Sequence, residues 1–293
     1  MQPTIREIMR NRYTLSQKTR SLYRFFKWQV TSKVFKKTLV FKFTPNSKLK
    51  LINGFQAVTG NYYFGLSDPD VMPFLLHFLQ AGDLFIDVGA NGGSYTVLAS
   101  AEKCANTIAI EAAADIFEGL KQNIAVNLME DRVEALNIAV SNINGTLPFT
   151  SADHATNRVC YDDRDDIVNV EAKTLDTILN GRVPILMKMD IEGHEHNALL
   201  GAHTAISSPD CKALIIEFSN TGEYYGYGNI KTHELLTGYS FKPYTYNYKT
   251  RKLTAFDPMQ TGFEFNMIYI KDEKFVQDRV STADAVLMSG LVI

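Results

Sequence analysis

Apolar runs too short to be helices alternate with stretches of helical periodicity, and this alternation constrains the chain more than any other feature. The runs "LFIDVG" (84–89), "TIAIEA" (107–112), "ILMKMDI" (185–191) and "ALIIEFS" (213–219) read as buried strands. Between and around them, "DVMPFLLHFLQ", "GGSYTVLASAE", "DIFEGLKQNIAVNL" and "HEHNALLGAHTAI" read as helices, and "VEALNIAVS" (133–141) as a further strand. Strands joined by crossover helices run parallel, and strands apolar on both sides need cover on both faces. Beyond Glu217, "SFKPYTYNYKTRKLTAF" reads as a hairpin followed by the strand "FEFNMIYIK". The expected fold is therefore α/β, doubly wound and mostly parallel, ending in antiparallel strands.

Three segments are expected: a basic, partly amphipathic helical arm over 1–60, the main domain over 61–275, and an extension over 276–293. Residues 1–50 hold 13 of the 30 Lys and Arg but only Glu7 among the 32 acids. Within them "SLYRFFKWQVTSKVF" puts Leu22, Phe25, Phe26, Val30 and Val34 at helical spacing among cations. Such a helix can pack on the main domain. Peripheral contact of residues 1–50 with an anionic membrane is a second reading and nucleic-acid contact a third, and the arm also has the Arg-rich, nearly acid-free composition of a cleaved transit peptide. Nucleic acid is a less favoured partner, since no binding motif accompanies the charge.

No apolar run approaches the roughly 18 residues of a membrane span, and the N-terminus lacks a secretory core. Cys104, Cys160 and Cys211 are odd in number and lack CxxC spacing, which supports neither a disulfide framework nor a zinc cage. A cytoplasmic protein is expected, either free or peripheral at a membrane surface. The sequence carries no signal for oligomeric state.

"GDLFIDVGANGGSYTVLAS" (82–100) joins a strand to a helix through a glycine turn containing Gly89, Asn91 and Gly93. Such a turn lets a ligand approach the strand end. Glu111 ends the next strand, where a carboxylate can accept bonds from two ribose hydroxyls, so a nucleoside ligand is expected. Asp87 sits directly before the turn and would repel a pyrophosphate. An ammonium and a sulfonium would instead be attracted, which favours S-adenosylmethionine over a dinucleotide. The pattern GxGxxG is also unmatched, with Asn91 and Ser94 at its second and third glycines.

"FIDVGANGGSYTVLA", "IAIEAAADIFEGLKQNIAVN", "VEAKTLDTIL" and "ILMKMDIEGHEHNALLGA" resemble, in order and approximate spacing, the FkbM-family methyltransferases. The resemblance covers about residues 62–270. It implies a class I, Rossmann-like sheet of seven strands with a reversed C-terminal hairpin. It also implies S-adenosylmethionine as cofactor and O-methylation of a saccharide, glycolipid or related small molecule. Carried over by position, Asp87, Gly89, Asn91 and Gly93 form the methionine-side turn, Glu111 the ribose contact and Ala139 the adenine contact. Ala112 stands where the family often has proline.

"LMKMDIEGHEHNALLGAH" (186–203) crowds three carboxylates and three histidines after a strand. His196 and His203, seven residues apart on a helix, are about 10 Å from each other and cannot share a metal. They read as packing or surface residues. Asp190 and His194, at the strand end, are the candidates for the base that takes the acceptor's proton, with His194 as a simple turn residue the alternative. Asp190 and Glu217 end neighbouring strands and could share a magnesium ion. Asp176 reads as a helix cap, His154 and Asn157 as acceptor-side polar residues, and the tyrosines of 224–248 as packing or sugar-stacking groups.

Two further functions compete with saccharide O-methylation. One keeps the cofactor but moves the acceptor to nucleic acid or protein; the absence of an Asn/Asp-Pro-Pro-aromatic motif argues against methylation of a base amine. The other is a non-catalytic nucleotide-binding protein, disfavoured by Asp87 and the incomplete glycine pattern.

Overall fold

The apolar runs form strands covered on both sides. The computed structural model describes residues 5, 6, 8, 9, 18–152, 156–263, 265–288 and 291–293. A hairpin of β1 (Leu39–Lys42) and β2 (Lys48–Leu51) comes first. Then follow β3 (Leu84–Val88), β4 (Asn106–Ile110), β5 (Val133–Leu136), β6 (Ala139–Val140), β7 (Gly145–Thr150) and β8 (Ile167–Lys173). After them come β9 (Leu186–Met189), β10 (Ala213–Glu217), β11 (Lys242–Asn247), β12 (Lys252–Ala255) and β13 (Asn266–Ile270).

Eight strands make the central sheet, in the order β12-β11-β13-β10-β9-β3-β4-β5. The five from β10 to β5 are parallel, and β13 runs against both of its neighbours. That is one strand more than the seven expected. The addition is β12, a mostly exposed edge strand that among the described residues pairs with β11 alone. Side chains alternate between two cores: Ile86, Val88, Met187, Met189, Leu214 and Ile216 pack on one face, Phe85, Ala109, Leu186 and Ile215 on the other.

Two elements read as continuous are broken. "VEALNIAVS" divides at Asn137, whose side-chain amide donates to the carbonyls of Glu111 and Ala112 at 2.8 and 3.0 Å. The chain is thereby drawn off the sheet, and β6 joins a second sheet of order β6-β8-β7. "HEHNALLGAHTAI" becomes helices Glu195–Leu200 and His203–Ser207. A Cβ on the intervening Gly201 would lie 2.2 Å from the Ser141 carbonyl oxygen, so the backbones touch where the helix stops.

The segments drawn at either end share the main core. Phe25, Trp28, Phe43, Leu49 and Leu51 are buried in the same cluster as Phe85. The buried Asn123 accepts from the Lys50 N–H through Oδ1 and donates to the Gly92 carbonyl through Nδ2, both at 2.7 Å. At the other end the boundary expected at 275 falls inside helix Glu273–Ser281, where Val276 and Val280 are fully buried. No helix among the described residues is long and apolar enough to cross a membrane.

Candidate active site

The glycine turn is bound to its neighbours on both sides. Gly89 and Ala90 donate their N–H groups to the Ile110 carbonyl at the end of β4, each at 2.9 Å. Gly89 has a φ of +72°, and a Cβ there would lie 1.9 Å from the Asp190 carbonyl oxygen. Only glycine allows that approach between the ends of β3 and β9. The Asn91 N–H donates to Glu111 Oε2 and the Ala113 N–H to Glu111 Oε1, both at 2.9 Å. Each oxygen of this carboxylate keeps lone pairs for further donors.

A cavity of about 240 Å³ opens at the C-terminal ends of these strands. On the β4 side it is lined by Asn91, Glu111, Ala112, Ile138, Ala139 and Val140. On the β9 and β10 side stand Asp68, Lys188, Asp190, Glu192, His194 and Glu217. Seven residues singled out in the sequence, Gly89, Asn91, Glu111, Ala139, Asp190, His194 and Glu217, thus converge. Asn157 lines the same cavity, while His154 lies outside the described residues.

Asp87 and Gly93 stand behind the cavity wall and do not line it. The Asp87 side chain is fully buried, and Oδ2 accepts from the Thr96 N–H at 3.0 Å and the Thr96 hydroxyl at 2.6 Å. It braces the helix after the turn. Gly93, with φ of +84°, precedes that helix, and a Cβ there would meet Leu120 at 2.7 Å.

Charge on the β9 side is unbalanced. Lys188, 3% exposed, is its buried cation. Its ammonium lies 3.1 Å from Asp190 Oδ2 and 3.9 Å from Asp87 Oδ1, and donates to the Gly89 carbonyl at 3.1 Å. Burial pulls its pKa down, but Asp190 and Asp87 outweigh burial, and the net shift is upward. Burial pushes Glu217 well above the usual carboxylate range, reinforced by Asp190, Glu195 and Glu192. Glu217 is 3% exposed, and its Oε2 has no hydrogen-bond partner among the described residues. One carboxylate oxygen from each of Asp190, Glu192 and Glu217 falls within 4.8 Å of the other two. Burial also lifts Glu111 to about 7 and Glu195 to about 7. Glu195 braces the turn after β9, accepting from the N–H groups of Ile191 and Gly193 at 2.8 and 3.2 Å.

His194 is engaged at both ring nitrogens. Nδ1 lies 3.1 Å from the Asn197 amide nitrogen and Nε2 3.0 Å from Ser141 Oγ, whose hydroxyl donates to Asn142 Oδ1 at 3.2 Å. With Nδ1 accepting from the amide, Nε2–H donates to Ser141 and the chain of donors is consistent. Burial lowers the imidazole to about 4. With both ring nitrogens engaged it supports the turn, and it also lines the cavity beside Asp190. His196 stacks on Tyr227, with ring centroids 4.1 Å apart, and His203 bonds the Tyr239 hydroxyl at 2.6 Å, as packing groups do.

The methyltransferase FkbM domain matches residues 87–243, more than half of the chain. The chain belongs to the FkbM methyltransferase family. A curated relative, the hexuronic acid methyltransferase AglP of Haloferax volcanii, is 28% identical over 144 residues. That match takes in 48% of this chain and spans 59% of the relative's length. Among solved structures, the precorrin-6y C5,15-methyltransferase of Geobacter metallireducens is 10% identical, with a TM-score of 0.40, over 70% of this chain and 88% of that one. A TehB-like SAM-dependent methyltransferase of Corynebacterium glutamicum is 13% identical, with a TM-score of 0.39, over 70% and 89%. Likeness at that level carries no argument about this chain.

As a member of the FkbM family the chain is expected to hold S-adenosylmethionine, and the residues fit it. Glu111 is immobilised with acceptor capacity directed to a cavity whose adjoining wall, Ile138 to Val140, is apolar. The excess of carboxylate over lysine near β9 suits a cationic ligand end. Two of these residues went unmarked in the sequence, Lys188 and Asp68, while Glu192 was read only as one of the three carboxylates after the strand. Lys188 had a readable signal, because a lysine inside an unbroken apolar strand must be buried and therefore paired. Asp68, which accepts from the Tyr95 hydroxyl at 2.8 Å, had none.

Proposed function

We propose that the chain is an S-adenosylmethionine-dependent O-methyltransferase whose acceptor is a hydroxyl of a saccharide or saccharide-bearing lipid. The observation that carries this reading is the group of carboxylates, Asp190, Glu192 and Glu217, at the open cavity beside the glycine turn. When bound, S-adenosylmethionine supplies an electrophilic methyl group on a positively charged sulfur. Glu111 and the Asn91 turn hold the nucleoside. Asp190, the carboxylate nearest Lys188, orients the acceptor hydroxyl and takes its proton, since a sugar hydroxyl is a poor nucleophile until that proton leaves. The hexuronic acid named for the AglP relative supports a sugar as acceptor.

A second reading adds a divalent cation, magnesium by preference, held by Asp190, Glu192 and Glu217. The unpartnered, buried Glu217 Oε2 favours it. Glu192 also holds a φ of +56°, an unusual backbone state for glutamate, which brings a third acid to the pair expected from the sequence.

Methyl-labelled S-adenosylmethionine, incubated with the purified chain and a cell extract separated into glycan, lipid, nucleic-acid and protein pools, tests the reading. Label in glycan or glycolipid is expected. Label confined to nucleic acid or protein would refute the saccharide acceptor and leave methyl transfer standing. No label in any pool, with no binding of the cofactor by calorimetry, would refute both.

A further inference from the structure

Helix Lys18–Gln29 and the π-helical turn Val30–Val34 carry two stripes on opposite sides. Ser21, Phe25, Trp28 and Ser32, spaced four, three and four apart, are buried against the body of the chain. Tyr23, Phe26, Val30 and Val34, spaced three, four and four, are 64%, 54%, 47% and 69% exposed. At about 100° per residue the two sets stand half a turn apart. The single apolar stripe read from the sequence is thus two, with Phe25 on the docked side, where Trp28 joins it, and Phe26, Val30 and Val34 on the free one. Phe35 adds a further ring, 62% exposed. Scattered exposed apolar residues are ordinary, but Tyr23, Phe26, Val30 and Val34 follow one another along one side of the helix and form a patch.

Cations surround that patch. Lys27, Lys33, Lys36 and Lys37 are all exposed. No Asp or Glu occurs from residue 8 to residue 67. Phosphate contact in nucleic acid would use the lysines but gives the apolar stripe no role. A second copy of the chain would bring like charges together.

We propose that this face docks on an anionic lipid surface. The helix lies flat, Tyr23, Phe26, Val30 and Val34 enter the boundary between headgroups and acyl chains, and the lysines reach the anionic headgroups. None of these residues lines the active-site cavity, so the inference stands apart from the proposed reaction.

The test sediments the full chain with vesicles of phosphatidylcholine alone and with vesicles containing about one third phosphatidylglycerol. Binding about tenfold or more stronger to the anionic vesicles is expected, and it should weaken several-fold in high salt. The double variant Phe26→Ser/Val34→Ser should lose about tenfold in vesicle binding while its melting temperature stays close to that of the parent, because both side chains are exposed. Equal binding to both vesicle types, or binding indifferent to the double variant, overturns the proposal. So does retention on single-stranded RNA without vesicle binding. A dimer that the double variant dissociates, again without vesicle binding, overturns it as well.

Discussion

Asp87 and Lys188 are register partners on the neighbouring strands β3 and β9, with the ammonium 3.9 Å from a carboxylate that has no exposure to water. Asp87 Oδ1 has no hydrogen bond among the described residues, so Lys188 is its electrostatic partner. Lys188→Met should therefore destabilise the chain by about 3 kcal/mol or more, the cost of an uncompensated buried charge. Adding Asp87→Asn should recover part of that loss. Equal denaturation midpoints for parent and Lys188→Met would show that the pair is not needed.

Gly89→Ala places a methyl group against the Asp190 carbonyl on a backbone with φ of +72°. A cost above about 2 kcal/mol is expected from left-handed strain and overlap combined. Cofactor affinity should fall with it, measured by calorimetry on folded protein. A variant as stable as the parent would contradict the observed closeness of β3 and β9.

Glu111 and Glu195 are held at about 7 by burial, above their ordinary 4.5. A folded carboxyl that keeps its proton more tightly than the unfolded chain stabilises the fold fully below about 4.5, and that contribution is lost as pH rises through about 7. His194 and His77 oppose this at lower pH: burial lowers both from 6.5 to about 4, so their contribution is lost as pH falls through that window. The ligand-free melting temperature should therefore peak near pH 6 and decline toward pH 8. Glu111→Gln should flatten the decline, and a melting temperature rising from pH 6 to pH 8 would contradict it.

Asp190→Asn should lower kcat by about a hundredfold or more with S-adenosylmethionine affinity little changed. His194→Gln should cost about tenfold or less, because the imidazole supports the turn and touches no acceptor proton. The opposite ranking would return the proton to the histidine.

Manganese is a suitable probe of the three carboxylates. If they hold a cation, about one ion per chain should bind and raise stability by about 2.7 kcal/mol at a hundredfold excess over Kd. Glu217→Gln should abolish the binding. Unchanged turnover after chelation, with no ion bound, removes the cation from the mechanism.

The runs around Phe85, Ile108, Met187 and Ile215 were legible because short, mostly apolar stretches bounded by turn formers fit a buried strand and little else. The breaks at Asn137 and Gly201 were not, since each depends on a contact with residues distant in the chain: Glu111 and Ala112 for one, Ser141 for the other. Glu111, Asp190 and Glu217 were readable as acids ending apolar strands. The orientation of Asp87 was hidden, because local spacing does not say that Thr96 will claim its carboxylate. Periodicity found the amphipathic helix but could not say which of its apolar residues would dock.

The hairpin β1–β2 lies outside the segment that matches the FkbM domain, yet Asn123 joins β2 to the Gly92 carbonyl with one amide group. Mechanically, that side chain is a two-bond tether. A displacement of β2 that keeps both bonds carries the Gly92 carbonyl, and with it the glycine turn, in the same direction.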